Sequence, residues 1–188
     1  MKRIILGSNS PRRRELLAGL DLDFTVDTGN TFEEKPEPGV EAHEVPLHFS
    51  AGKSHGFHRP LEADEILITS DTVVIVDREV LGKPHSREEA AEMLRKLSGR
   101  AHEVVTAVTI RDCAQEETFS VSTQVHFEPL SEAEISHYID KYRPFDKAGA
   151  YGIQEWIGYV GISSIEGSFY NVMGFPVHRV WHELQRFL

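Results

Sequence analysis

One cysteine, Cys113, in 188 residues leaves no partner for an internal disulfide, and a lone thiol fits a reducing cytoplasm. No apolar run approaches a membrane span, and the first residues lack the apolar stretch of a signal peptide. A cytoplasmic protein without a membrane partner is therefore expected. Basic side chains are scarce beside acidic ones, 20 Lys and Arg against 30 Asp and Glu, for a formal net charge of −10. Such a surface repels long polyanions, which argues against a stable nucleic-acid partner and for a small anionic ligand. The chain also lacks G-x-x-x-x-G-K-[ST], G-x-G-x-x-G and G-x-S-x-G, so the common phosphate-loop, dinucleotide and hydrolase-elbow readings fail. Histidine is plentiful, but His43, His48, His55 and His58 share no compact ligand spacing and Cys113 has no second thiol, which disfavours structural zinc.

What is present begins with Gly7-Ser8-Asn9-Ser10-Pro11-Arg12-Arg13-Arg14-Glu15-Leu16-Leu17. Ser10 is a good N-cap and Pro11 a good first helical residue, after the short apolar strand Ile4-Ile5-Leu6. A helix N-terminus carries partial positive charge and favours Asp and Glu in its first turn. Three arginines there break that rule, and a bound anion explains them economically; a solvated basic turn is the plain alternative.

At this length one domain over 1–188, or two lobes sharing a cleft, can bury a real core. Phe24 to Val26 reads as a strand, followed by an acidic, Pro-rich loop from Thr31 to Gly39 with Glu33 and Glu34. A helix weakened by Gly52 spans Pro46 to Gly56. Ile66 to Thr69 reads as a buried strand ending at Ser70-Asp71-Thr72; Val73 to Val76 continues extended, and Asp77-Arg78 turns the chain back through Val80-Leu81. Ser86 with Glu89 forms a capping box for a helix through Leu97, closed by Gly99. His102 to Ile110 and Thr118 to Phe127 pair as strands, Ser131 with Glu134 opens a helix to Tyr142, and a strand from Tyr159 to Ile165 precedes a last helix, Pro176 to Leu184. The mixture indicates an α/β or α+β fold around one mixed sheet.

Asp71, at an expected strand end between two hydroxyls, can hold a divalent metal or take a proton from water; a turn Asp capping its own backbone is the bland reading. Lys83, beyond the hairpin, can return toward Asp71 or be a solvated lysine. Glu33 and Glu34 can add a metal-binding oxygen or serve solubility, and Lys53 is unremarkable alone. Asp146-Lys147-Ala148-Gly149-Ala150-Tyr151-Gly152-Ile153-Gln154 is dense in small residues and ends in an amide suited to a nucleobase edge.

Taken together, Ser8-x-Ser10-Pro11-Arg12-Arg13, Glu33, Lys53, Ser70-Asp71-Thr72, Gly82-Lys83-Pro84, Leu97-Ser98-Gly99 with His102, the segment Asp146 to Gln154, and Gly167-Ser168…Val172-Met173-Gly174-Phe175-Pro176 resemble the Maf family of nucleoside triphosphate pyrophosphatases. The resemblance implies an elongated α/β fold of two lobes around a central cleft, similar to inosine triphosphate pyrophosphatase. It implies a homodimer and a divalent cation, Mg²⁺ with Mn²⁺ as the other choice. Asp71 is implied as the catalytic group, acting as general base or metal ligand, with Glu33 as a further metal ligand. Ser8, Arg12, Arg13, Lys53, Thr72, Lys83 and Gln154 are implied substrate contacts. Arg12, Thr72 and Gln154 match the branch that hydrolyses dTTP and UTP, with modified pyrimidine nucleotides as a further class; a sister branch with Trp for the first Arg prefers 7-methyl-GTP. Gly7 in place of Ala and Gly52 in place of Glu depart from the family pattern. A non-catalytic nucleotide- or nucleic-acid-binding regulator of septum formation stands as the rival expectation.

Overall fold

The computed structural model describes residues 2–35 and 39–188, so the middle of the expected acidic loop lies outside the described residues. Strand β1 (Arg3–Leu6) buries Ile4, Ile5 and Leu6, the continuous apolar run of a strand with neighbours on both edges. Helix α1 (Pro11–Ala18) follows with Ser10 as its N-cap, and β2 (Phe24–Val26) pairs parallel to one edge of β1. Helix α2 (Val45–His55) then carries the chain to β3 (Glu65–Val76), which pairs parallel to the other edge, Leu6 opposite Ile68. The order of connection thus reverses at β1, the place where open α/β sheets gather ligands at strand C-termini.

The 12-residue β3 corrects one expectation. Asp71 lies within the strand and not at its end. Ser70-Asp71-Thr72 reads as turn chemistry, but the β-branched run Val73 to Val76 and the flanking strands keep the chain extended through it. The turn comes at Asp77 and Arg78, with φ of 51° and 66°, a two-residue hairpin into β4 (Glu79–Leu81) that sets Val76 opposite Glu79.

Helix α3 (Arg87–Leu97) starts at Ser86, whose Oγ accepts the Glu89 N–H; the Glu89 carboxylate accepts from His85 N–H, one residue before the expected box partner. Strands β5 (Ala101–Arg111) and β6 (Glu116–Phe127) follow, then α4 (Glu132–Tyr142) with the full Ser131–Glu134 capping box. A short 3-10 turn, Ala148–Ala150, leads to α5 (Trp156–Gly161) and β7 (Ile162–Glu166). The expected strand from Tyr159 therefore begins three residues late. Ile157 and Gly161, four apart, are both buried while Tyr159 and Val160 are exposed, so helical spacing wins there. Helices α6 (Phe169–Val172) and α7 (Val177–Leu184) end the chain.

Among the described residues, seven strands form one mixed sheet in the order β2-β1-β3-β5-β6-β7, with β4 on β3. The chain divides into two compact units. The first comprises Met1–Asp71, Thr106–Val121 and Gly174–Leu188; Ile5, Phe57 and Leu67 pack in its core. The second comprises Thr72–Val105 and Ser122–Met173, with Leu94, Leu97, Ile135, Tyr138 and Ile139 buried. Among the described residues, no helix is long and apolar enough to cross a membrane.

Candidate active site

In the first unit the polar groups gather just past the C-terminus of β1. The β1 pairing of β3 ends at Leu6 opposite Ile68 and the β4 pairing begins at Val74, and between the two the Ser70 carbonyl accepts from side chains. Arg13 Nη1 donates to Ser70 O at 2.9 Å and to Ser8 Oγ at 3.4 Å, while Arg13 Nε donates to Gly174 O at 2.9 Å. Burial pulls the Arg13 guanidinium below its usual pKa, with the Asp71 carboxylate opposing that shift. Ser8, itself buried, also accepts the Ser10 N–H at 3.2 Å. The three arginines therefore part ways: Arg13 points inward, Arg12 is half-buried beside it, and Arg14 is exposed and reaches Asn9.

Helix α2 supplies the second cation. Ser50 and Ser54, four apart and both buried, tie the helix down: Thr69 Oγ1 donates to Ser50 O at 2.8 Å, and Arg111 Nε donates to Ser54 Oγ at 2.9 Å. Small residues on that face let Lys53 sit close to β3. Lys53 Nζ lies 2.7 Å from Asp71 Oδ1, 2.8 Å from Glu34 Oε1 and 3.5 Å from Ser70 O. Asp71 and Lys53 side chains are 12% and 17% exposed, so the pair is shielded yet reachable.

The acidic loop reaches Lys53 because it is fastened to α2. Thr31 N–H donates to Gly56 O at 2.8 Å, the Asn30 amide donates to Lys53 O, and the Phe32 ring lies across Gly52. That anchoring brings Glu34 to Lys53, whereas Glu33 faces Lys35. The expected Lys53 and Asp71 are thus brought together with Glu34, while the expected Glu33 pairs with Lys35.

The second unit holds the remaining expected residues. Thr72, half-buried, follows Asp71 along β3 and by strand alternation projects to the opposite face. Lys83 is exposed after β4 and forms no hydrogen bond or ion pair among the described residues; its loop is tied to the 148–150 turn by Gly149 N–H to Gly82 O at 3.0 Å. That turn needs glycine, because Gly149 has φ of 65° and a Cβ there would press on Val74. Gln154 is half-buried, and its Oε1 is buried with no hydrogen-bond partner among the described residues. It borders a cavity of about 330 Å³ lined also by Ile153, Tyr159, Ile162, Ile165 and Phe169.

Oxygen donors suited to a hard cation are present in the first unit. Two carboxylates, Asp71 and Glu34, converge on the Lys53 ammonium beside the Ser70 carbonyl. Mg²⁺ asks for one or two carboxylates with water and phosphate oxygens completing the shell, so the set fits. Among the described residues no cluster of three or more His, Cys, Asp or Glu side chains forms a closed metal cage.

A family model described as "Maf-like protein" matches residues 3–187. A dTTP/UTP pyrophosphatase of Porphyromonas gingivalis is 51% identical over 187 residues, 98% of this chain and 94% of the relative. Relatives of the same name from Bacteroides thetaiotaomicron and Parabacteroides distasonis are 47% and 48% identical, each over 98% of this chain and 95% and 96% of their own. Among solved structures, a HAM1 protein from Coxiella burnetii aligns over 99% of this chain and 100% of its own with a TM-score of 0.50 at 12% identity, a likeness of fold alone.

Proposed function

The chain belongs to the Maf family, and on that premise we propose that it is a nucleoside triphosphate pyrophosphatase acting on dTTP and UTP. Water attacks the α-phosphorus, and the nucleoside monophosphate and pyrophosphate leave. The observation that carries this reading is the meeting of Arg13, Lys53, Asp71 and Glu34 around the Ser70 carbonyl. Cations there suit a polyphosphate, and a carboxylate among them suits the handling of water. A regulator that only bound nucleotides would need the cations but not the carboxylates, so the rival expectation is not favoured.

In this reading the α1 N-terminus, Ser8, Arg13, Lys53 and Lys83 receive phosphate oxygens. Arg13 donates to oxygens of Ser8, Ser70 and Gly174, so it offers fixed charge with little reorganisation. Asp71 takes the proton of the attacking water or ligates the metal. Lys53 exchanges its carboxylate partners for phosphate as substrate arrives. Asp71 and Glu34 would hold the divalent ion, Mg²⁺ or Mn²⁺, with Glu33 one residue away on the same loop. When bound, that ion would neutralise phosphate charge and make water more acidic. Arg12, Thr72 and Gln154 read the pyrimidine, Gln154 through an amide that matches one donor and one acceptor of the thymine or uracil edge. The family match over residues 3–187 supports one Maf-like domain over 1–188, and the same reading takes in a homodimer working in the cytoplasm.

Incubating the purified protein with a nucleotide panel and Mg²⁺, then identifying products, tests this. dTTP and UTP should give monophosphate and pyrophosphate. Orthophosphate with nucleoside diphosphate, or a preference for ATP, GTP or 7-methyl-GTP, would overturn it.

A further inference from the structure

Tyr138 lies on α4 with no solvent exposure, among the largest fully buried side chains of the protein. A buried phenol must satisfy its hydroxyl, and this one is satisfied twice. The Gly152 N–H donates to Tyr138 Oη at 3.0 Å, and the Tyr138 O–H donates to Glu155 Oε2. The direction is unambiguous, since an amide N–H only donates and a carboxylate only accepts. Burial and the Glu155 carboxylate together push the phenol pKa up, so the proton stays in place.

From Glu155 the network continues. Its Oε1 lies 3.2 Å from Lys147 Nζ, which also meets Asp146 Oδ1 at 2.8 Å. Lys147 is 9% exposed, so its ammonium depends on these two carboxylates. The side chains converge on a bare backbone: a Cβ at Gly152 would stand 2.9 Å from Lys147 Cε and 3.2 Å from both Gln154 Nε2 and Glu155 Cδ. Glu155 N–H closes the turn on Gly152 O at 3.0 Å. One hydroxyl therefore grips both ends of a four-residue turn, and Gln154 is inside it.

We propose that Tyr138 is a positioning residue for base selection: its hydroxyl fixes the Gly152–Glu155 turn and thereby the angle at which Gln154 presents its amide. This rests on the reading of Gln154 as the base-contacting group. A bidentate amide pairing tolerates little displacement, and loss of orientation by about 1 Å can cost on the order of 10²-fold.

The bland alternative is packing, for the Tyr138 ring also stacks on Tyr142, centroids 5.3 Å apart. Tyr138→Phe separates the two, because it keeps the ring and removes the hydroxyl. Steady-state kinetics should be measured with dTTP, UTP, ATP and GTP for the full-length wild type, Tyr138→Phe, Gln154→Ala and the double variant. Tyr138→Phe should lower pyrimidine kcat/KM about tenfold, mostly through KM, and change purine values less than about twofold. The double variant should discriminate no worse than Gln154→Ala alone, because both act on one contact. Wild-type discrimination in Tyr138→Phe, with Gln154→Ala impaired, overturns the role of Tyr138 and leaves the base reading standing. Wild-type discrimination in Gln154→Ala overturns the base reading and the proposal with it. Should Tyr138→Phe fail to fold, Glu155 decides. Glu155→Ala should reproduce the loss and Glu155→Gln, which still accepts from the phenol, should recover most of it; wild-type discrimination in both overturns the proposal.

Discussion

The Phe32 ring occupies the space that a side chain at Gly52 would fill, so that even a methyl group there would overlap its ring carbons. Phe32 also packs edge-on against Phe49, centroids 6.0 Å apart, and the residue two further on is the Glu34 that meets Lys53. A glycine that helix propensity disfavours within α2 is therefore matched by a ring that seats the acidic loop on the helix.

Gly52→Ala should displace that ring. Helix propensity favours Ala by about 1 kcal/mol, but overpacking costs about 1–3 kcal/mol, so a net loss near 1 kcal/mol is expected. kcat/KM should fall with it, as Glu34 leaves Lys53, and Phe32→Ala in the same chain should restore part of the stability. Urea unfolding of the two variants checks this, and a Gly52→Ala protein as stable and active as wild type would show that the ring does not seat the loop.

Asp71→Asn should lower kcat about 10²-fold or more with the fold preserved, because it removes the carboxylate that handles water or metal while keeping a side chain of the same shape. Circular dichroism and single-turnover rates measure the two effects. Retention of more than half the wild-type rate would exclude Asp71 as the catalytic group.

Turnover should vanish in EDTA and return with Mg²⁺, and Glu34→Gln should need more metal for half-maximal rate than Glu33→Gln. The reason is positional: Glu34 shares Lys53 with Asp71, while Glu33 pairs with Lys35. Titrating rate against free Mg²⁺ ranks the two; a reversed order would assign the ion to Glu33, and an equal order would exclude a special role for Glu34.

Stability should depend on pH through His102, which is 3% exposed and donates to or accepts from Tyr151 Oη at 2.7 Å. Burial lowers its pKa from 6.5 to about 4. A histidine held neutral when folded binds fewer protons than when unfolded between those values, so its contribution is full above 6.5 and is lost as pH falls toward 4. By linkage the loss is on the order of 3 kcal/mol. Unfolding midpoints at stepped pH, compared with His102→Gln, should differ most in slope across that window; parallel curves would sink the assignment.

Where structure follows from local chemistry, it was legible in the residues. Ser10-Pro11 and Ser131 with Glu134 start helices because their hydroxyls satisfy N–H groups within the same turn. Asp77-Arg78 turns the chain where it was expected. Asp71 was recognisable as a candidate but not its place inside β3, since continuation of a strand through three polar residues is decided by neighbours in the sheet. Glu33 and Glu34 cannot be told apart by spacing; Phe32 in the Gly52 notch separates them. The hold of Tyr138 on Gly152 and Glu155 joins residues 14 and 17 apart across a loop, and no periodicity announces it.

Arg13 bonds to carbonyls 57 and 161 residues further along the chain, at Ser70 and Gly174. Its unit is stitched from three stretches, the last of them Gly174–Leu188. During synthesis Arg13 therefore waits for 161 further residues, up to Gly174, before its cluster can be completed. A ribosome-stalled chain lacking that last stretch would hold Arg13 short of one acceptor and leave the early strands dependent on incomplete packing, the condition in which nascent chains engage chaperones.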